Sequence, residues 1–506
     1  MASKMFMGDM PELMENILDN FKYELDSLYS CALVSRHWCK ISIPILWQNP
    51  FRFVRKPLFI SRYFSSIDEY EKFVLKESGI TEFSTTLFNY ARLLKVLDLS
   101  YLENKVEDWL DVHFGSKLYN NSLKYKMFNV LFKLFIESGA TLHKLYLYFS
   151  EFIEIKQEIF YSLGRNEQFF SQLQDLSLGL VSDFSMESAT TLLRILAKNT
   201  TKLKFLKIDE FDPDYEPQLC HALICIINSQ EHLREFMLGG VVEMPSEFYG
   251  IVSALESQKQ TLREVAIEWC DYSAEFEVLR NCKNLEILCI RYCTQGLMKM
   301  LDYKISTFEV IDDQIDASGI MSILKKSGTS LRKLRLNPDV EITQNEPIPG
   351  ESLLLETLKS FCPNITHLNI TSMEFSTNLL EFIGNLQKLQ FLTLRHLRFV
   401  DNIPEEERVI QFAEILPLSL QYLDLSHSLN SYVDIFFNHF NAPIKRLLIN
   451  NILDNKKTAE ALIEFCKRNR TFIYLGVNNI FDLDDNIKCE VEEYVTLLPC
   501  YRILAD

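Results

Sequence analysis

From residue 94 onward the chain repeats one six-residue pattern, apolar-x-x-apolar-x-apolar, fourteen times, at a spacing that wanders between 20 and 48 residues and averages about 29. The copies begin at Leu94, Leu142, Leu173, Leu203, Leu233, Leu262, Leu285, Ile305, Leu331, Ile365, Leu389, Leu420, Ile444 and Phe472. The fourth and sixth positions alternate as in a short strand, so pairs such as Leu97 and Leu99, or Leu334 and Leu336, share one face. Helix-like stretches lie between copies, for example residues 189–198 and 459–466. A leucine-rich chain yields one such hexad by chance, but not fourteen at quasi-regular spacing. One strand and one helix in about 29 residues cannot bury their apolar faces alone, so neighbours must stack. The fold class this implies is α/β, a parallel-stranded solenoid.

The length of 506 residues fits a repeat array, because a single hydrophobic core stops growing at roughly 250 to 300. Apolar residues make up 47% and charged residues 24%, ordinary proportions for a folded soluble chain. Lys plus Arg number 52 against 69 Asp plus Glu, and the net charge of −17 repels phosphate backbones and anionic lipid. We therefore expect no nucleic acid and no membrane among the partners. No apolar run approaches the roughly 18 residues of a membrane span, and no secretion signal or lipidation box is apparent, which predicts a cytoplasmic or nuclear protein. The twelve cysteines are scattered through apolar segments, as buried reduced thiols would be. Cys220 and Cys225, or Cys289 and Cys293, lack a second pair to complete a zinc site.

Residues Leu285 to Cys293, with Leu262 to Cys270 beside them, resemble leucine-rich repeats of the cysteine-containing kind. The resemblance implies a solenoid from 94 to 506, a curved parallel sheet with outer helices, with a C-terminal cap. The Asn or Cys expected at the ninth position appears only as Cys270 and Cys293, and the other copies carry residues such as Leu102, Phe211 and Val241.

Ahead of the repeats the apolar spacing becomes helical. Asp9 and Glu12 form a capping-box pair, and Leu13, Met14, Ile17, Leu18 and Phe21 follow as one stripe. A second helix reads through Leu25, Leu28, Ala32 and Leu33, and a third starts at Ser35, carries Trp38 and Ile41 inward and is expected to stop at Pro44. Three helices in about 40 residues make a small core, so an exposed apolar surface here calls for a docking partner. The strings Met10 to Leu18, Leu33 to Trp38 and Ile45 to Trp47 together resemble an F-box, over residues 6–50. That likeness implies binding to the S-phase-kinase-associated adaptor of a cullin-based SCF ubiquitin ligase, through Pro11, Leu13, Ile17, Leu18, Val34 and Trp38, with Leu46 and Trp47 packing the end. Met10 stands where the family commonly has Leu, and Cys39 where a basic residue is frequent. Residues 51–93 read as a helical linker packing on the first repeats.

Catalytic patterns are absent from the sequence. Gly numbers 15, and there is no phosphate-cradling GxGxxG or GxxxxGK, no HExxH and no GxSxG. Asp209, Glu210, Asp212 and Asp214, and the run Asp482, Asp484 and Asp485, lack the Gly and closing Glu of a calcium loop. We expect no catalytic residues, no cofactor and no metal. A solenoid instead offers the open face of its sheet, where the third, fifth and seventh hexad positions point outward. Over the first eight strands that face carries Asp98, Asp175, Asp209, Glu235, Glu264, Glu268 and Glu309 against Lys144, Lys207 and Arg291. Over the last six it carries Lys333, Arg335, Arg395 and Arg446 against Asp424, with Phe391, Tyr422 and Tyr474 interleaved. Lys333, Arg335, Arg395, Phe391 and Tyr422 are the candidate substrate-binding residues, suited to an anionic segment. The function expected is that of a non-catalytic substrate-recognition subunit of an SCF-type ligase. The alternative is a leucine-rich-repeat scaffold that binds protein without engaging a ligase.

Overall fold

The computed structural model describes residues 11–52, 57–81, 83, 85–115, 121–149, 155–180, 185–241, 244–294, 296–297, 304–312, 315, 317–338, 348–399, 404–429, 431–449, 456–477 and 485–503. They fall into two compact units, one running to Val241 and including Glu247–Leu262, the other containing Met244–Ser246 and everything from Arg263.

The first unit opens with α1 (Pro11–Asp19), α2 (Leu25–Val34) and α3 (Arg36–Leu46). Their apolar stripes meet in a core of Met14, Leu18, Leu28, Ile41 and Ile45, with Phe21, Cys31, Trp38 and Leu46 packed against it. Ser35 caps α3, its Oγ accepting the Trp38 amide at 3.2 Å. Pro44 does not end α3 as expected: it sits in the last turn, and the helix runs on to Leu46. Proline there removes one bond, to the carbonyl of exposed Lys40, which water can take over. Asp9 of the expected capping box and Met10 lie outside the described residues.

After the three helices come a single turn, Pro50–Arg52, a tight 3-10 stretch, Pro57–Ser66, and α4 (Glu69–Glu77). Their aromatic residues pack on the two helices of the unusually long first repeat, α5 (Leu99–Phe114) and α6 (Asn121–Glu137). Tyr63 meets Phe135 edge-on at 5.0 Å, Phe64 meets Trp109 at 5.3 Å, and the Trp109 indole donates to the Ser61 hydroxyl at 3.0 Å. The joint between α3 and the first strand is made by backbone: the Gln48 carbonyl accepts the amides of Lys95 and Val96, each at 2.9 Å. Trp47 stacks on Tyr90 beside it at 4.0 Å.

Five parallel strands follow in chain order in this unit: β1 (Val96–Asp98), β2 (Lys144–Phe149), β3 (Asp175–Leu180), β4 (Phe205–Phe211) and β5 (Glu235–Gly240). Among the described residues the second unit has ten: β6 (Glu264–Glu268), β7 (Ile287–Arg291), β8 (Thr307–Asp312), β9 (Lys333–Pro338), β10 (His367–Thr371), β11 (Phe391–Arg395), β12 (Tyr422–Asp424), β13 (Arg446–Leu448), β14 (Tyr474–Val477) and β15 (Thr496–Pro499). Adjacent strands pair with like hexad positions opposite, as in Leu334, Leu368, Leu392, Leu423, Leu447 and Leu475. This is an α/β leucine-rich-repeat solenoid, and every one of the fourteen hexads forms a strand.

The first, fourth and sixth positions supply the core. Leu94, Leu97, Leu203, Leu206, Leu389, Leu392 and Leu394 are all sealed from solvent. Burying each such side chain contributes roughly 1.5–3 kcal/mol. Two features depart from the expected strand-plus-helix unit. In the copies beginning at Leu233 and Leu262 the helix is replaced by the 3-10 segments Ser253–Gln258 and Ala274–Asn281. A fifteenth strand, β15, also exists, with Leu497 opposite Leu475. Its sixth position is Pro499, which the apolar pattern did not admit and which a closing strand tolerates.

The ninth position is met in two ways. The Cys270 thiol donates to the Glu268 carbonyl and the Cys293 thiol to the Arg291 carbonyl, both at 3.2 Å. Ser428 does the same work with oxygen, donating to the Leu394 carbonyl at 3.1 Å and accepting the Leu397 amide at 3.2 Å, so it stitches two repeats together. The cysteines are all free thiols, most of them buried. Among the described residues no helix is long and apolar enough to cross a membrane.

Candidate docking surfaces

On α1 to α3 the residues expected to meet an adaptor separate into three sets. Leu13 and Ile17, one turn apart on α1, and Val34 at the end of α2 are exposed. Leu18 is 1% exposed and lies in the helix core, and Trp38 is half-buried against that core, so both hold the module together rather than offer a free surface. Pro11 opens α1, where its missing N–H costs nothing. Two residues join the exposed set that were not among the expected contacts, one of them, Leu33, read in the sequence as part of the second helix's apolar stripe. Leu33 is 71% exposed beside Val34 at 64%, and Tyr29 lies one turn before Leu33. A helical face with apolar residues on both edges of its stripe has more than a core can use, and the surplus is visible in the pattern Leu28, Tyr29, Ala32, Leu33, Val34.

On the sheet, the outward residues are organised by strand register. Lys144 on β2 pairs with Asp175 directly opposite on β3, and Lys207 pairs with Asp209 on β4 at 2.6 Å. In the second unit one diagonal recurs, from a seventh-position Arg to a fifth-position acid on the next strand. Arg291 reaches Glu309 through Nε at 2.9 Å and Nη2 at 2.8 Å. Arg395 reaches Asp424 through Nε at 3.0 Å and Nη2 at 2.5 Å, both on Oδ2. Asp424 is 1% exposed, and its Oδ1 accepts the Ser426 amide at 2.9 Å. The Arg395 guanidinium, though exposed, is thus already engaged by Asp424, where the expectation had it free for a ligand. The signal that could have found this is register: an outward Arg and an outward acid one strand apart on adjacent hexads.

Arg335 is held differently. The fifth position opposite it on β10 is Asn369, so it leans back to Glu309, Nη1 to Oε2 at 3.5 Å, sharing that carboxylate with Arg291. Its Nε and the Asn369 Oδ1 are both buried without a hydrogen-bond partner. Lys333, two residues before it, is exposed and has no ion-pair partner among the described residues. Beside Lys333 on the third-position row come His367, Phe391 and Tyr422. The His367 and Phe391 rings stack at 4.3 Å with planes 8° apart, and burial together with Lys333 lowers the His367 pKa.

Tyr422 was expected to face a ligand, and it is buried instead. The turn after β15, Cys500–Arg502, folds back over the open face, and Ile503 packs with Tyr422 and Leu448, with Phe391, Tyr474, Leu498 and Cys500 around them. Burial pushes the Cys500 thiol up to about 11 and raises the Tyr422 hydroxyl well above its ordinary value. Gly476 makes room for the turn: a Cβ there would come within 2.8 Å of Leu448 and 3.2 Å of Ile503. From β12 to β14 the face is therefore filled by the chain itself.

A further row was not expected. Glu210, Trp269, Tyr292, Ser372, His396 and His427 occupy the eighth position of their repeats, all with left-handed backbone, φ between 51° and 62°. This turns each side chain sideways at the end of its strand, so neighbours stack: Trp269 on Tyr292 at 4.5 Å, and His396 on His427 at 4.9 Å. Among the described residues no cluster of three or more His, Cys, Asp or Glu is placed to hold a metal ion.

No family model and no curated protein matches this chain. Among solved structures it is similar to the crystal structure of the Rad7 and Elc1 complex in yeast, at 16% identity and a TM-score of 0.40, covering 79% of this chain and 92% of that one. It is also similar to the leucine-rich repeat-containing protein LegL7 from Legionella pneumophila, at 11% identity and a TM-score of 0.29, covering 72% and 94%.

Proposed function

We propose that this protein is the substrate-recognition subunit of an SCF-type cullin ubiquitin ligase. Its N-terminal helices dock on the S-phase-kinase-associated adaptor, and its solenoid holds a protein substrate while ubiquitin transfer is catalysed elsewhere in the complex. The observation that carries this reading is the exposed apolar set Leu13, Ile17, Leu33 and Val34 on a module whose own core is already complete without them. Leaving four such side chains in water forgoes several kcal/mol that a partner surface would recover, at roughly 25 cal/mol per Å² of apolar area. The motif order from Pro11 to Trp47 names the partner by its likeness to an F-box.

The test is co-expression of the full chain with the adaptor and its cullin. A Leu13→Asp, Ile17→Asp, Val34→Asp variant should lose co-purification of both, with its melting profile unchanged because all three side chains are exposed. Retention of the adaptor by that variant would sink the assignment and leave a scaffold that binds protein without a ligase.

A further inference from the structure

We propose that β9 to β11 of the second unit form the substrate-docking site, and that the ligand is an extended peptide segment carrying an acidic side chain two or three residues from a large apolar one. This rests on the reading of the sheet face as protein-binding, but not on adaptor docking.

Charge places the acidic residue. Glu264, Glu268 and Glu309 stand with Arg291, Arg335 and Lys333 on this face, on a chain whose net charge is −17. The acids lie on β6 and β8, and the cations at the β9 end are Lys333 and Arg335. Two neighbouring cations, one of them a guanidinium, suit a carboxylate side chain. The two cations are also the ones able to respond. Lys333 is exposed and without an ion pair among the described residues, and Arg335 is tethered by one 3.5 Å contact, its Nε without an acceptor. Arg395, held by two bonds to buried Asp424, would have to give those up first. An incoming carboxylate offers Arg335 a bidentate partner that Glu309, already taken by Arg291, does not.

Apolar surface places the second residue. The stacked His367 and Phe391 rings form a flat step next to Lys333, and Phe391 is only partly covered. Beyond it the turn at Cys500–Arg502 and Ile503 close the face over Tyr422, which gives the step a back wall. Strands lie about 4.8 Å apart, so β9 to β11 spans about 10 Å, the length of roughly three residues of extended chain. A side chain paired at β9 therefore has its neighbour but one or two over Phe391.

The experiment is a selection of random dodecapeptides displayed on phage against the purified full chain, followed by fluorescence anisotropy with the labelled consensus peptide. The selected motif should contain Asp or Glu two or three residues from Leu, Phe or Trp. Lys333→Glu with Arg335→Glu should weaken the consensus peptide about tenfold or more, and should prefer the same peptide with its acid changed to Lys. Phe391→Ala should relax the apolar preference while keeping the acidic one. The adaptor-blind Leu13→Asp, Ile17→Asp, Val34→Asp chain should bind the peptide as the wild type does, which separates this site from the ligase reading. A motif without an acid, equal binding by the charge-reversed variant, or a phosphoserine peptide more than about tenfold tighter than its Glu counterpart would overturn the proposal.

Discussion

The pair Arg395 and Asp424 offers a direct measure of how the sheet face is built. Arg395→Ala removes both guanidinium bonds to the Asp424 carboxylate and leaves it the Ser426 amide on Oδ1 and the neighbouring Tyr422 hydroxyl, with no cation. The carboxylate stays where it was, 1% exposed between β11 and the closing turn. Removing one partner from a buried pair costs about 3–5 kcal/mol, because a charge is left without compensation. The opposite deletion, Asp424→Ala, is milder. Arg395 is 44% exposed on its side chain, so its charge rehydrates and the pair itself is worth only about 1 kcal/mol after screening. The Ser426 amide, in a buried residue, then loses its acceptor at about 1–3 kcal/mol, for a total near 3. The double variant should cost less than the two single costs added, since the orphaned carboxylate is gone. Because a solenoid opens locally, the readout is amide hydrogen exchange in β11 to β13 rather than one melting midpoint. If Arg395→Ala altered exchange there by less than about 0.5 kcal/mol, or if the single costs were additive, Arg395 would be a solvated arginine and the register argument would fail.

Two further outcomes follow from buried groups. Burial pushes the Glu351 carboxyl up to about 7 from its ordinary 4.5, despite the Glu374 amide at 2.9 Å and Arg398 at 3.5 Å. The folded state thus holds an extra proton between those values, so stability should fall as pH rises from about 5 to 7.5, and Glu351→Gln should flatten that slope, by up to about 3 kcal/mol at pH 8 in urea titrations; an unchanged slope would refute the assignment. Gly476→Ala should press on Leu448 and Ile503, cost about 1–3 kcal/mol and speed alkylation of Cys500, read by mass spectrometry; an unaltered rate would mean the closing turn does not bear on that strand.

What could be read from the sequence was whatever the core dictates. A strand buried on one face must place leucines at fixed intervals, so Leu97 with Leu99 or Leu392 with Leu394 announce themselves, even where the copy is as weak as Ile305, Phe308, Val310. β15 escaped because its last position is a proline, and the segment Ala274–Asn281 because its apolar spacing does not by itself separate a helix from a tighter 3-10 turn. The eighth-position row has no sequence signature: Glu, Trp, Tyr, Ser and His adopt there a backbone conformation usually left to glycine, and only the recurring strand ending imposes it. On the docking surfaces, composition marked cations and rings but not their engagements. Lys333, Arg335 and Phe391 remain accessible in part; Arg395 is exposed too but already bonded to Asp424, and Tyr422 is buried, through contacts that depend on which strand lies beside which. Leu18 and Leu13 look alike in a stripe, and only the packing of three short helices decides which one turns inward.

The joint at Gln48 carries one more implication. Its carbonyl holds two successive amides of the first strand, Trp47 is wedged between Tyr90 and Tyr63, and Arg52 lies over the Tyr23 ring at 5.0 Å. The three helices are therefore keyed to β1 like a wheel to its shaft, with main-chain bonds where a tethered module would have slack. Anything gripped by Leu13, Ile17 and Val34 keeps a fixed bearing toward β1 to β5. Its reach along the first repeats is then set by how many of them are stacked, not by swinging at their root.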